Sequence, residues 1–444
     1  MTAKKITLAQ SALIGLAGNA PSYSIAVTTG ALLGASTGLA PAIIFGCGIV
    51  VLGILFAYKK LNEEQTSSGA AYTWVSQIIN PTLGFFAGWC VLVASVLFIV
   101  AASLPAGKAA LMIVDPAWGE NKLYVTLLAL TFLTLISFAV LRGIEVVGRV
   151  QSILTGLEIG LIMVIALAIM WRFSGEVFNV KHLTALSMDK FDMKTFSSGV
   201  VIALFFYWGW DVIFNVSEET IGSHKTSGRA GLIVMLALIV IFTFFAAAAV
   251  SVISAEDIKA SGDNAIFAIA AKVFPRPFDS IAVLMFLLST IGAMEASLLQ
   301  FSRTVLAKAR DGRMSKRLAY IHPEWQTPVL AILLDVVIVT IILFGSLFFG
   351  TVEDAIAAGI GATGILVAYY YGFAGIACAV YFGRKRGLSL GARLLYVVWP
   401  AISVTVLVIA AILATLQFNQ LATASVAVSL LIGVVVYAFY RPRI

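Results

Sequence analysis

The sequence predicts an all-α polytopic membrane protein with about 12 transmembrane helices. Of the 444 residues, 61% are hydrophobic and 11% are charged, and the mean hydropathy is +1.01. Soluble domains are typically about 45–50% apolar and about 25% charged. The apolar residues form runs of the length that a helix needs to cross a bilayer, about 20 residues, without the alternating pattern of a membrane barrel. The lipid bilayer is therefore the first expected partner.

Twelve apolar segments, called spans 1 to 12, follow one another along the chain. Their expected limits are 9–33, 40–58, 84–112, 123–141, 151–171, 195–217, 230–253, 280–304, 328–349, 355–382, 394–416 and 423–440. Most of the 29 Lys and Arg residues lie at the two termini and in the loops on the same side. Because basic loops stay in the cytoplasm, we expect a cell-membrane protein with both termini cytoplasmic. The net charge of +7 then reflects topology, and no nucleic-acid partner is expected.

Spans 1 and 6 contain sequences that disfavour a continuous helix. Span 1 includes GLAGNAPSYS (15–24), in which Pro21 has no amide proton and disfavours helix at the residue before it. Span 6 includes FFYWGWD (205–211), which places Gly209 and Asp211 among five large aromatic residues. Each is the first span of a group of five, and interruptions at matching positions are typical of transporters built from inverted repeats. The alternative is an ordinary kink for helix packing in each span.

Four sequence blocks, in the same order, resemble those of the amino acid–polyamine–organocation (APC) superfamily of permeases. They are SSGAAYTWVSQIINPTLGFFAGW (67–89), with Ser/Gly-Gly-x-Tyr and Gly-Phe-x-x-Gly-Trp; GRVQSILTGLE (148–158), with Gly-Arg-x-Gln; FFYWGWDVIFNVSEET (205–220), with aromatic-Gly-Trp-Asp and Glu-Glu; and FSRTVLAKARDGRMSKRLAYIHPEWQTP (301–328), with Ser-Arg, Ala-x-Asp-Gly, His-Pro and Thr-Pro. The resemblance implies a leucine-transporter-like fold with two inverted repeats of five helices, 1–190 and 191–386. Helices 1 and 6 would be discontinuous, and two peripheral helices would occupy 387–444.

The resemblance also implies a function: secondary active transport of amino acids or amines without ATP. The sequence agrees, since it contains no phosphate-binding loop, and no nucleophile–base pair or metal-ligand cluster at membrane depth. We therefore expect no enzyme activity, no cofactor and no metal. Our first hypothesis is an amino acid permease working by alternating access with proton coupling. The alternatives are an amine or polyamine permease or exchanger, and a membrane sensor that binds without transport. Symport versus antiport and the oligomeric state remain open.

An interrupted helix exposes free amides, which suit a carboxylate, and free carbonyls, which suit an ammonium group. Tyr207, Trp208 and Trp210 are expected to stack on an ammonium group, with packing against other helices or the lipid interface as the alternative for each, whereas Phe205 and Phe206 are expected to pack or to gate. The expected substrate-binding residues are Gly18, Ala20, Pro21, Ser22, Tyr23 and Ser24 in span 1, Tyr207, Trp208, Gly209, Trp210 and Asp211 in span 6, and Glu295 in span 8.

The break in span 1 departs from the resemblance. Family members often hold Gly and Ser there, and their amides receive the substrate carboxylate, whereas this chain has Pro21. The hydroxyls of Ser22 and Ser24 can replace the missing donor. The departure nevertheless favours an amine that lacks a carboxylate more than the resemblance alone does. Asp211 has two interpretations, a partner for the substrate ammonium or a cap for the resuming helix, and we slightly prefer the cap.

Glu158 lies in the middle of span 5, where some family members have a lysine that substitutes for the sodium ion of related transporters. A carboxylate in apolar surroundings can exchange a proton near neutral pH or bind a cation. We expect Glu158 to be the coupling site for a proton or for sodium, with Ser289 or Thr290 of span 8 as its partner. The alternative is a protonated structural residue. Glu295 and Asp335 add further acids at membrane depth without clear basic partners, which suggests proton or cation handling.

Two further clusters have expected roles. Glu218 and Glu219 follow span 6, close to Lys225 and Arg229, and are interpreted as an inner-gate salt-bridge cluster with the basic loops, or as a solvated helix end. The three tyrosines at 369–371 in span 10 are expected to include an outer gate residue, with at least two serving core packing.

Overall fold

The computed structural model describes residues 5–36, 39–177, 193–254, 256–257, 264–348, 352–417 and 420–440. Within these ranges the chain is almost entirely helical, and strand-type pairing is limited to an isolated bridge between Ile6 and Thr220. Ten helices there are long and apolar enough to cross a membrane, which confirms a polytopic helical membrane protein. They fall on predicted spans 2 to 5 and 7 to 12. The two remaining predicted spans are those in which the helix is interrupted.

The helices are labelled in chain order, and short helical turns elsewhere are left unlabelled. They are α1 Leu8–Asn19, α2 Pro21–Ser36, α3 Ala40–Glu64, α4 Ala71–Ile78, α5 Pro81–Val114, α6 Lys122–Leu141, α7 Ile144–Val177, α8 Met193–Phe206, α9 Val212–Asn215, α10 Ser223–Val252, α11 Ala265–Val273, α12 Ile281–Arg310, α13 Val329–Ser346, α14 Val352–Gly383, α15 Trp399–Gln417 and α16 Gln420–Tyr440.

Span 1 consists of α1 and α2. The start of α1 is fixed by a capping box, in which the Thr7 hydroxyl accepts from Gln10 N–H and the Gln10 side chain accepts from Thr7 N–H. The helix ends because Ala20 adopts a left-handed conformation, with a φ of 50° and a ψ of 65°. Pro21 then begins α2, in the first-turn position where its missing amide proton costs no hydrogen bond.

Span 6 consists of α8 and the four-residue α9, and the non-helical residues 207–211 lie between them. Around these breaks α1 packs against α7, α10 and α12, and α2 packs against α8. The long helix α5 contacts both α12 and α14, and α3 contacts α10. The two breaks therefore lie in the interior of the bundle, where free backbone groups need partners because the surroundings offer no bulk water.

Candidate substrate and coupling site

The main chains of the two helix breaks are in direct contact at Gly18 and Gly209. A Cβ atom on Gly18 would overlap the carbonyl oxygen of Gly209, and a Cβ atom on Gly209 would overlap the carbonyl oxygen of Gly18. Gly209 also has a φ of +96°, a conformation that residues with a side chain rarely adopt. Glycine at both positions lets the two main chains touch.

Asn19 joins the breaks through its side-chain amide. Its Nδ2 donates to the carbonyl oxygens of Phe206, at 2.8 Å, and Trp208, at 2.7 Å. These carbonyls have lost their helical partners because α8 ends here. The Ser24 hydroxyl in turn donates to the Asn19 carbonyl at 3.1 Å. In this conformation Asn19 therefore occupies carbonyls that an ammonium group could otherwise use.

The first amides of α2 are bound by side chains of α7 and α12. The Ser22 N–H and hydroxyl both donate to Glu158 Oε1, at 3.0 and 2.9 Å. The Tyr23 N–H donates to the Ser289 hydroxyl oxygen at 3.2 Å, and that hydroxyl also lies beside the Glu158 carboxylate. Because Pro21 has no N–H, the helix start has a protein acceptor for each of its first free amides. A carboxylate is well placed at a helix N-terminus because the helix dipole is positive there.

Of the two expected partners of Glu158, the structure brings only Ser289 to it. The Thr290 hydroxyl donates to the carbonyl of Phe286 in its own helix, at 2.7 Å. Glu158 itself is buried, with 1% of its surface exposed.

Asp211 is held by three neutral donors. Tyr371 donates to Oδ1 at 2.9 Å, and Tyr370 and Gln300 donate to Oδ2 at 3.0 and 2.7 Å. The expectation that Asp211 caps the resuming helix is wrong, since its side chain makes no capping hydrogen bond. The reason is local, because the N–H groups of Ile213 and Phe214, which a capping side chain would bind, already donate to the main-chain carbonyls of Trp210 and Asp211. Among the described residues no basic side chain forms an ion pair with Asp211.

The aromatic residues of span 6 point in different directions. Trp208 donates from Nε1 to the Tyr370 hydroxyl at 2.7 Å, and its ring lies 4.8 Å from that of Phe98. The Trp210 ring lies 5.5 Å from that of Tyr371. Trp208 and Trp210 thus contact the two tyrosines that donate hydrogen bonds to Asp211.

Tyr207 faces away from this group. Its hydroxyl donates to the Ile44 carbonyl in α3, and its ring packs against Phe242 in α10. Tyr23 packs between Phe98 and Phe286, with its ring stacked on the latter at 5.8 Å. Tyr207 therefore contributes to helix packing in this conformation, the alternative considered for each aromatic residue of this span.

Glu295 is fully buried on a different side of α12 from Gln300. Five residues at about 100° each place the two side chains about 140° apart around the helix. Glu295 faces Gln151 of α7, whose Nε2 donates to the Gly292 carbonyl at 2.8 Å. The structure does not bring Glu295 to the group around Asp211.

Comparison with known proteins identifies the family. A model of the amino acid permease family matches residues 8–439. The chain belongs to the amino acid permease family. This confirms the resemblance seen in the four sequence blocks, and it places the protein among transporters rather than enzymes.

Three relatives illustrate the range of this permease family. The low-affinity putrescine importer PlaP of Escherichia coli (strain K12) is 28% identical over 344 residues, covering 74% of this permease and 72% of PlaP. The serine/threonine exchanger SteT of Bacillus subtilis (strain 168) is 25% identical over 306 residues, covering 67% and 66%. The human large neutral amino acids transporter small subunit 2 is 27% identical over 301 residues, covering 67% and 56%.

Two ion pairs join Glu218 and Glu219 to α12 at one end of the permease. Glu219 binds Arg303 of α12, with Nε 2.9 Å from Oε1 and both side chains buried. Glu218 binds Arg310 at 2.9 Å and accepts from the Ser68 N–H at 2.8 Å. Burial by itself raises the pKa of Glu218, but these two partners hold it below its ordinary value.

These ion pairs agree with the expected salt-bridge cluster, but the basic partners belong to α12. Lys225 and Arg229 are exposed residues of α10 and form no ion pair with either acid. Arg303 and Lys308, which the sequence suggests for the cytoplasmic loop, are fully buried in α12. Lys308 donates to the Phe85 carbonyl at 2.9 Å, with its Nζ 3.7 Å from the Phe85 ring centre.

Sequence reasoning did not place four residues in the candidate site: Asn19, Gln300, Tyr370 and Tyr371. The last two were expected to gate or to pack, and their bonds to Asp211 went unrecognised. A polar or hydroxylated side chain in an apolar span is the one signal that could have found all four, since such groups are buried only with a partner.

Proposed function

We propose that this protein is a secondary active transporter whose substrate is an organic amine without a carboxylate, coupled to protons. The observation that supports it is the start of α2, where Glu158 and Ser289 take the amides of Ser22 and Tyr23. In the resembling family these amides receive the substrate carboxylate. Here a side chain of the protein supplies the carboxylate instead.

A substrate carboxylate at this position would meet Glu158. Two like charges sharing one site repel strongly in surroundings of low dielectric constant, so one of them must be protonated or leave. Pro21 removes one further donor that a second carboxylate would need. An amine avoids the conflict because it has no group that competes for these amides.

Asp211 supplies the complementary half of the site. A buried carboxylate held by neutral donors, without a basic partner among the described residues, attracts an ammonium group. Trp208 and Trp210 offer ring faces at the same place, and a desolvated cation over an aromatic face gains about 2 kcal/mol. Binding needs a change from the described conformation, since the cavity beside Trp208 and Tyr371 has about 10 Å³, room for one water molecule.

Coupling is assigned to Glu158, with Ser289 as its partner. Protonation of Glu158 removes the charge that holds the Ser22 N–H and hydroxyl, which loosens the contact between α2 and α7. Proton binding thereby changes the position of the half-helix beside the substrate. A sodium ion bound by the same carboxylate is the alternative.

The proposed architecture is the leucine-transporter-like arrangement, with inverted repeats at 1–190 and 191–386 and peripheral helices in 387–444. It is supported by the interruption of spans 1 and 6 and by the contact of Gly18 with Gly209. Both termini are assigned to the cytoplasm of a cell-membrane protein. The ion pairs of Glu218 and Glu219 then close the cytoplasmic end.

An α-amino acid is the second candidate substrate. Two of the three relatives described above are named for amino acids, and one is named for putrescine. An amino acid would have to displace Glu158 from Ser22, so its binding would require Glu158 to be protonated first.

Uptake by proteoliposomes tests the proposal. Accumulation of an organic amine is expected to follow an imposed proton gradient and to be independent of sodium. Glu158→Gln should abolish the effect of the gradient, whereas Glu324→Gln, which changes an exposed acid of a loop, should leave it intact. Gradient-driven uptake by Glu158→Gln equal to that of the wild type would refute the assigned coupling.

A further inference from the structure

A second buried carboxylate, Glu295, has no task in the transport scheme above. It lies at the middle of α12 and is fully buried. Neither of its oxygens accepts a hydrogen bond of normal geometry from the described residues. It forms no ion pair there either, in contrast with Glu219 nearer the end of the bundle.

Glu295 lies on a polar seam between α7 and α12. On α7, Gln151, Thr155 and Glu158 are four and three residues apart and so share one face. The Thr155 hydroxyl donates to Gln151 Oε1 at 3.2 Å, and Gln151 in turn faces Glu295. Ser289 of α12 lies beside Glu158, and Glu295 follows six residues later, about 9 Å further along the axis of α12.

Helix α1 forms the third wall of the seam. A Cβ atom on Gly292 would lie 3.5 Å from the Cβ of Ala17 and 3.2 Å from Gln151 Oε1. The segment LAQSALIGLAGN of α1 contains no titratable side chain. Helix α1 thus packs against α12 three residues from Glu295, and it brings no charged side chain to the seam.

Many other charged and titratable groups on the elements around α12 are bound to partners, exposed, or buried away from the seam. Three of them form ion pairs: Lys108 with Glu120, Lys272 with Asp257 and Arg303 with Glu219. Others form hydrogen bonds or ring contacts: Tyr72 with Asp311, Tyr23 with the Ala101 carbonyl, Lys308 with the Phe85 carbonyl, Arg142 with the Trp325 ring, and Asp211 with Gln300, Tyr370 and Tyr371. Arg149 is exposed, and Cys90 and Asp335 are buried. Glu158 alone among them shares the seam.

An ionised carboxylate is very costly in an apolar interior without donors or a cation. We propose that Glu295 is a proton-binding site, occupied while α1 packs against α7 and α12 and emptied when α1 moves away and water enters the seam. This rests on the proposed alternating access only for the movement of α1. Glu158 differs, because Ser22 donates two hydrogen bonds to it and can stabilise its ionised form.

Linkage gives the direction of the effect. The closed form binds one proton more than the open form, so a rise of pH on the cytoplasmic side favours opening. For one proton the ratio of open to closed form changes by about tenfold per pH unit at most. Replacement of Glu295 by glutamine removes this dependence.

Infrared difference spectroscopy of the purified full-length protein at neutral pH tests the occupied site. The spectrum of the wild type minus that of Glu295→Gln should contain the C=O stretching band of a protonated carboxyl group, because all other acids cancel. The spectrum of Glu295→Asp minus that of Glu295→Gln should also contain such a band, because aspartate keeps a carboxyl group. The spectrum of the wild type minus that of Glu324→Gln should contain none. Absence of the band in the Glu295→Gln difference overturns the proposal.

Cysteine labelling in proteoliposomes tests the link to opening. Ser11, fully buried in α1, is changed to cysteine, and its rate of maleimide labelling is measured against pH with and without Glu295→Gln. The labelling rate with Glu295 present is divided by the rate in the Glu295→Gln background, which cancels the pH dependence of the thiol itself. This ratio should rise by up to about tenfold for each unit by which the pH is raised. A ratio independent of pH overturns the proposal. If Ser11→Cys is never labelled, the proposed alternating access fails, while the infrared band still decides the proton site.

Discussion

Replacing Glu158 with alanine should change which compounds the protein accepts. The substitution removes the carboxylate that occupies the start of α2, and it leaves the Ser22 N–H and hydroxyl without their acceptor. The vacated space borders a helix N-terminus, which favours negative groups. We expect the variant to lose part of its preference for amines and to gain affinity for the corresponding α-amino acids.

The size of the change follows from the two lost hydrogen bonds. Each hydrogen bond to a charged group contributes about 1.5–3 kcal/mol, and the attraction of a carboxylate to a helix N-terminus adds about 0.3–1 kcal/mol. The substrate carboxylate pays for its own desolvation when it replaces Glu158, so only part of this sum is recovered. A net gain of about 1.4–2.8 kcal/mol would change relative affinity by about 10–100-fold.

The assay is competition against uptake of a labelled amine, with each amine compared with the amino acid that yields it on decarboxylation. The ratio of inhibition constants is measured for the wild type, Glu158→Ala and Glu158→Gln. The glutamine variant can still accept a hydrogen bond from Ser22 and should show a smaller change. A ratio for Glu158→Ala equal to that of the wild type would refute the assignment of Glu158 as an internal substitute for the substrate carboxylate.

Three further predictions concern the breaks, the acid and the gate. Gly209→Ala should abolish uptake, because a left-handed backbone costs about 1–2 kcal/mol with a side chain and the new Cβ overlaps a neighbouring carbonyl, whereas Gly46→Ala, with open space around it, should retain uptake. Asp211→Asn should reduce amine uptake by more than about tenfold, since loss of an ionic partner costs over 1.4 kcal/mol, and equal initial rates would contradict this. Glu219→Gln should destabilise the closed form by about 3–5 kcal/mol, because Arg303 stays buried without its partner, which thermal unfolding would detect as a lowered midpoint.

Glu218→Gln is the control for the gate prediction. Its ion pair with Arg310 is about one-third exposed, and such pairs contribute only about 0–1 kcal/mol. Equal shifts in the unfolding midpoint for the two variants would contradict the distinction between the buried and the exposed pair.

The membrane spans and the two breaks could be predicted from the sequence because their causes are local. Apolar runs determine the spans, and Pro21 and Gly209 each limit the backbone at their own positions. The same reasoning found Glu158 as a buried acid, since a charged residue within an apolar run is visible without a structure.

The partners of these residues could not be predicted in the same way. Asp211 and Tyr371 are 160 residues apart, and Asn19 and Trp208 are 189 apart. Such contacts depend on how each helix is rotated, and nearly uniform hydrophobicity around a membrane helix gives little sign of that rotation. Tyr207 lies next to Trp208 yet faces α3, because the main chain turns where α8 ends.

The central claim is that the protein supplies the carboxylate at α2, and competition in the wild type tests it most directly. Lysine and cadaverine, arginine and agmatine, and ornithine and putrescine differ within each pair only by the α-carboxylate. The labelled tracer is whichever of these six compounds accumulates fastest in proteoliposomes with an imposed proton gradient. We expect the amine of each pair to inhibit at least about tenfold more strongly, equivalent to about 1.4 kcal/mol. Equal or stronger inhibition by the amino acids would contradict the account.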